Sequence, residues 1–161
     1  MKFIYNILKF IFVFLISIEI LAQVIGFQKD NKIYALGSYS FMKTPSITYW
    51  KELYPDLDWN WGMFGENLTI EGLDESSMRI GNIYKIGTAL VQVSQPREPC
   101  YKLGVRFGTQ EVLRQFIEYG LPGTYVRILE EGEVRAGDEM ELKEESKNTL
   151  TVQQFYQLMY A

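Results

Sequence analysis

The chain has 161 residues, of which 47% are apolar, enough to bury the core of one domain. Its 16 basic and 20 acidic side chains leave a net charge of −4 with no long basic run, which argues against stable nucleic-acid binding. There is no histidine, so histidine-ligated zinc and Ser-His-Asp or Cys-His catalysis are impossible within this chain, and the single cysteine excludes an internal disulfide.

Residues 1–26 differ from the rest. Lys2 and Lys9 precede the uncharged apolar run Phe10 to Ile18, which Glu19 interrupts before Ile20, Leu21 and Ala22. A basic start, a short apolar centre and a small residue near its end have the form of a secretory signal, a membrane anchor or an apolar helix packed on the domain. The uninterrupted run is shorter than the roughly 20 residues that cross a bilayer comfortably. Export, or membrane contact, would depend on this segment alone.

Lys32 to Phe41 is rich in Ile, Tyr and Phe and is predicted as a strand. Thr44-Pro45-Ser46 opens a short helix with Ile47, Trp50 and Leu53 at helical spacing, and Ser46 is its N-cap if the helix begins after it. Asp56 to Gly65 is a loop bearing Trp59, Trp61 and Phe64, rings that either stack on a flat ligand or cover core edges. Asn67 to Glu71 alternates as a strand, and Met78 to Val93 gives two strands broken at Gly87-Thr88. Thr109 caps the clearest helix, whose stripe is Val112, Leu113, Phe116 and Ile117 and which stops at Gly120 and Pro122. Thr124 to Leu129 and Glu139 to Lys143 are strands. Thr151 to Tyr160 is an amphipathic helix with Val152, Phe155, Tyr156 and Met159 on one side. The acidic clusters at 130–133 and 139–145 are predicted to be solvated faces rather than metal sites. Seven or eight short strands with a few helices describe an α+β, mostly β chain, a largely antiparallel barrel with outer helices.

The cysteine lies in Gln95-Pro96-Arg97-Glu98-Pro99-Cys100-Tyr101-Lys102-Leu103-Gly104, just past a predicted strand. Two prolines restrict the backbone, and Pro99 at the first position of a helical turn would set Cys100 near its positive end. Arg97, Lys102 and Arg106 are close in sequence, and positive charge favours the thiolate, the form that attacks electrophiles and binds metals. The competing reading is a buried cysteine serving as a small apolar residue.

This loop resembles the cysteine loop of MOSC domains, the family named after the C-terminal part of molybdenum cofactor sulfurases. Gly62-Met63-Phe64-Gly65-Glu66-Asn67-Leu68-Thr69 is similar to that family's Phe-Gly-Glu-Asn-Leu motif, and Gly123-Thr124-Tyr125-x-Arg127-Ile128-Leu129 and Gly132-x-Val134-x-x-Gly137-Asp138 also match. The resemblance runs from about Tyr39 to the C-terminus and is strongest to the bacterial YiiM-like branch. It implies a MOSC-type β-barrel over residues 30–145, followed by a C-terminal helix over 149–161. It also implies a barrel incomplete at the N-terminus, because relatives begin with further strands and a His-Gly-Gly motif that a chain without histidine lacks. The implied cofactor is the molybdenum cofactor, a molybdopterin. Cys100 would be the catalytic residue and molybdenum ligand, Arg97 and Lys102 would hold anionic parts of the pterin, and Asn67 would hydrogen-bond beside the pocket. The implied reaction reduces small N-hydroxylated bases, with electrons from a donor protein, in the cytoplasm. The alternatives are a sulfur carrier or cofactor-binding module that uses the same thiol without turnover, or a truncated inactive relative.

Overall fold

A computed structural model describes residues 32–33, 38–60, 62–135 and 137–161; the expectations for residues 1–26 and for Trp61 fall outside these. In chain order the elements are β1 (Lys32–Ile33), β2 (Ser38–Lys43), α1 (Thr44–Leu53), β3 (Leu68–Ile70), β4 (Ile83–Ile86), β5 (Ala89–Pro96), α2 (Tyr101–Phe107), α3 (Glu111–Tyr119), β6 (Thr124–Glu130), β7 (Gly132–Glu133), β8 (Met140–Glu144) and α4 (Val152–Met159).

Two neighbouring residues of β2 show how the molecule is layered. Successive strand side chains point to opposite faces. Phe41 and Met42 are nonetheless both buried, at 1% and 0% exposure, so each face of β2 is covered. Phe41 enters the inner core with Leu68, Val91, Val93, Val126 and Val152. Met42 enters a second core, with Trp50 of α1, Phe64, Phe107 of α2, and Val112 and Phe116 of α3. The sheet therefore has an inner face curled on itself and an outer face covered by helices. Burial in strand β5 follows the period of two, with Ala89, Val91 and Val93 inside.

The main sheet runs β3-β2-β6-β5-β4-β8. All its pairings are antiparallel except β2 with β3, which is parallel. Among the described residues it is a curled half-barrel with four helices, the mostly β architecture the sequence predicts, and β3 and β8 are its edges. The hairpin β4–β5 turns at Gly87-Thr88 as expected. The described residues of the span 32–41 fall into two elements: β1 pairs with β7 in a separate two-stranded ladder, while β2 joins the main sheet.

Two helix boundaries depart from the sequence reading. Helix α1 starts at Thr44, so Ser46 lies inside its first turn, buried, and is not the N-cap. Its outer end also differs, since Leu53 is exposed. Helix α2 is a full element where only a turn was expected. Leu103 and Phe107 are one helical repeat apart and anchor it in the outer core, and buried Gly104 lets the Gln110 side chain lie against it. Thr109 does bond the start of α3, accepting from the Glu111 N–H at 3.3 Å, although the N-cap position is Gln110. In the outer core, Trp50 is fully buried, with ring contacts to Phe64, Phe107, Phe116 and Tyr119. Trp59 and Phe64 of the aromatic loop pack there too, so these rings cover the core edge.

Helix α4 is held by a capping box. Thr151 Oγ1 accepts from Gln154 N at 3.1 Å, and Gln154 Oε1 accepts from Thr151 N at 3.0 Å. Val152 and Tyr156 are its buried residues, and it packs against β5, the strand that leads into the cysteine loop.

Candidate functional site

β5 ends at Pro96, which pairs with Thr124 of β6. The next residue, Arg97, donates its backbone N–H to Gly123 O at 3.3 Å. Gly123 has φ +76, and a Cβ there would stand 2.1 Å from Phe41 O and 3.4 Å from Arg97 Cδ. Only glycine lets the Phe41 backbone and the Arg97 side chain come this close. The fit turns Arg97 inward, where it is 7% exposed. Its Nη2 donates to Phe64 O and its Nη1 to Met42 Sδ at 3.5 Å. Its Nε has no hydrogen-bond partner among the described residues, and no carboxylate among them pairs with the guanidinium. A buried cation without a counter-ion is costly and marks a place where an anion would be favoured.

Three residues on, Cys100 is the N-cap residue of α2, with extended backbone (φ −123, ψ 164). Its thiol is exposed, which removes the buried-cysteine alternative. Pro99 lies before the cap, not at the first helical position, so the helix begins two residues later than the sequence suggests. Lys102 and Arg106 follow on the exposed face of α2, and Arg106 Nε approaches Met63 Sδ at 3.3 Å.

The facing wall is the turn Gly62–Gly65. Gly65 N donates to Gly62 O at 2.9 Å, closing it. Glu66, 1% exposed, holds it from behind: its Oε1 accepts from Gly62 N at 2.8 Å and its Oε2 from Phe64 N at 3.0 Å. Thr69 Oγ1 adds a third bond to Oε1 at 3.3 Å. Between the walls is a groove of about 980 Å³, lined among others by Met63, Phe64, Arg97, Cys100, Lys102 and Arg106, with Asp58 and Glu98 as the acidic members. That size suits a large organic ligand.

Of the residues singled out from sequence, Arg97, Cys100 and Lys102 meet in this groove. Asn67 does not line it. Asn67 Oδ1 accepts from Ser40 N at 2.9 Å and Ser40 Oγ at 3.3 Å, fastening β3 to β2. Glu66 is the residue that sequence reasoning passed over, although a carboxylate following a Gly-x-x-Gly turn was a signal for one that receives its amides. No group of three or more Cys, Asp or Glu converges on a metal-sized point among the described residues, and Cys100 brings the groove's thiol, with the Met63 thioether on the facing wall. The cluster at 139–145 is mostly exposed, as expected of a solvated face, and that at 130–133 is exposed to half-buried.

Behind the loop stands α4. Burial raises the Tyr156 hydroxyl well above the usual tyrosine range, and the nearby Tyr160 and the Glu98 carboxylate add to it. Tyr160 is raised by burial and then by Glu98, so the loop acid and the helix tyrosines share one environment.

The fold and groove define a class: a curled half-barrel that presents one exposed thiol and one guanidinium without an ion pair among the described residues to a common space. The chain belongs to the MOSC domain family, whose model matches residues 35–141. It is similar to the uncharacterized protein YflK of Bacillus subtilis, 44% identical over 90 residues, 56% of this chain and 41% of that protein. A protein named "Reductase" from Gibberella moniliformis is 40% identical over 91 residues, 56% of this chain and 16% of its own. The crystal structure of YiiM from Geobacillus stearothermophilus superposes with a TM-score of 0.73 at 33% identity, covering 81% of this chain and 67% of that one. The chain thus spans less than half the length of these curated relatives. Membership places it in a family associated with the molybdenum cofactor. No helix among the described residues is long and apolar enough to cross a membrane.

Proposed function

We propose that this chain binds the molybdenum cofactor in the Cys100 groove and serves the reduction of N-hydroxylated bases or related compounds. One observation carries the reading: the exposed thiol of Cys100 and the buried guanidinium of Arg97, with its unpartnered Nε, line the same groove. The residues fit the cofactor's two chemical demands. A thiolate is a soft ligand of the kind that suits a thiophilic metal, and a cation lacking a counter-ion suits the cofactor's phosphate. In this reading Cys100 holds molybdenum through sulfur, Arg97 binds the anionic end of the pterin by charge-assisted hydrogen bonds, and Lys102 adds a mobile charge at the rim. The cofactor, when bound, supplies a redox-active metal that accepts the substrate oxygen. Met63 and Phe64 exclude water from one wall. The net reaction converts N–OH to N–H and water with two electrons and two protons, the electrons coming from a donor protein. The name of the Gibberella relative favours a reductase. A cytoplasmic location goes with this reading.

The test is protein purified from cells that synthesise the cofactor. Molybdenum close to one per chain, with dithionite-driven reduction of an N-hydroxylated purine, is expected. Molybdenum-free protein that releases sulfide from Cys100 on mild reduction would replace the reading with sulfur carriage.

A further inference from the structure

We infer that Glu66 is a positioning residue that sets the anion affinity of Arg97 through the backbone of Phe64; the inference rests on the reading above only in placing an anion at Arg97. Glu66 and Arg97 are both buried, at 1% and 7% exposure, yet they form no ion pair. Phe64 stands between them. Its N–H donates to the Glu66 carboxylate at 3.0 Å, and its carbonyl accepts from Arg97 Nη2. The turn passes close enough that a Cβ on Gly65 would lie 4.0 Å from Arg97 Nη2. Glu66 therefore fixes where the Phe64 carbonyl points, and that carbonyl occupies one edge of the guanidinium. The remaining Nε–H is the donor left without a partner among the described residues. A guanidinium is a rigid fork. Holding one of its nitrogens fixes the direction of the others, and a preorganised donor binds an anion without further ordering cost.

Two physical effects of neutralising Glu66 have opposite signs. Removing a buried negative charge near the groove would by itself strengthen anion binding. Replacing carboxylate oxygen by an amide NH2 sets a donor against one of two backbone donors, which loosens the turn and releases the Phe64 carbonyl. If Glu66 acts by position, the second effect wins and anion binding weakens. A purely structural role would lower the melting temperature and leave the affinity of the folded protein unchanged.

The experiment titrates the full chain with inorganic phosphate by calorimetry, which requires neither molybdenum nor turnover. Glu66→Gln is expected to weaken phosphate binding on the order of tenfold, as the loss of one charge-assisted bond implies. Arg97→Lys is expected to weaken it as well. The double variant should bind no more weakly than Arg97→Lys alone, because the two act through one contact. Thr69→Val, which leaves both backbone bonds to Glu66 intact, should stay within about twofold of the wild type. In the unmodified protein, the backbone amide signals of Gly62 and Phe64 should shift with the same phosphate dependence as the Arg97 Nε signal, a readout that holds even if Glu66→Gln does not fold. Unchanged or tighter binding in Glu66→Gln, additive losses in the double variant, still amides at Gly62 and Phe64, or no phosphate binding by the wild type would each overturn the inference. Protein that binds phosphate with this coupling but never acquires molybdenum would leave it standing and remove the cofactor reading instead.

Discussion

At the scale of single residues, the central fact is a buried guanidinium that forms no ion pair among the described residues. Arg97 has bonds to one carbonyl and one thioether sulfur, both weak compensation for a charge. Arg97→Ala should therefore weaken retention of an anionic cofactor by about 1.5–3 kcal/mol for each charge-assisted bond lost. Equilibrium dialysis of the loaded variant would measure this, and unchanged retention would show that the anion lies elsewhere. The residues of the cysteine loop were legible because they are contiguous: Arg97, Cys100 and Lys102 lie within one short segment, and folding had only to keep them together. Asn67 and Glu66 show the limit of that legibility. They are adjacent in sequence, but the backbone turns Asn67 Oδ1 onto Ser40 and Glu66 under the turn, and only the path of the chain distinguishes them.

At the scale of elements, α2 is the one the sequence concealed. Two prolines before it and a glycine within it suppress the usual helix signals, and its stability comes from Leu103 and Phe107 in the outer core, a tertiary contribution. Helix α4, by contrast, announced itself through Thr151 and the spacing of its apolar residues, and the capping box explains its start. Its tyrosines carry a pH prediction. Tyr156 is raised in the folded chain above the ordinary value of 10.0, by burial first and then by Tyr160 and Glu98. The folded state thus keeps its proton longer than the unfolded chain does. Stability from this group is fully present below about pH 10 and falls as pH rises beyond it. Tyr156→Phe should move the onset of alkaline unfolding to higher pH, with little change in melting temperature near neutrality. An identical alkaline midpoint in wild type and variant would assign the alkaline transition to another group.

For the whole molecule, the sequence implied one core and the described residues form two. The strands predicted from the sequence, 67–71, 78–93 and 124–129, supply most of the inner one. The outer one gathers Trp50, Phe64, Phe107 and Phe116 from four separated segments, and no local period links them. Reading the aromatic loop as a cover for core edges was right for Trp59 and Phe64 because rings of that size have few other places to be desolvated. Among the described residues, the curled sheet ends at β3 on one side and β8 on the other. Edge strands open more readily than central ones. Hydrogen exchange should show faster exchange at Leu68–Ile70 and Met140–Glu144 than at Val91 and Val93 of the central strand β5. Equal protection across all three would show that both edges are covered.

The joining of thiol, cation and half-barrel into one cofactor site is the central claim, and Cys100→Ser tests it most directly. The substitution keeps the volume of an exposed side chain at the start of α2, so folding and melting temperature should hardly change. It also replaces a soft sulfur ligand by a hard, weakly acidic hydroxyl. The measurement is molybdenum per chain and turnover of an N-hydroxylated base, in wild type and variant purified side by side. Both are expected to collapse together in the variant while the fold is retained. Molybdenum and turnover unchanged in Cys100→Ser would contradict it.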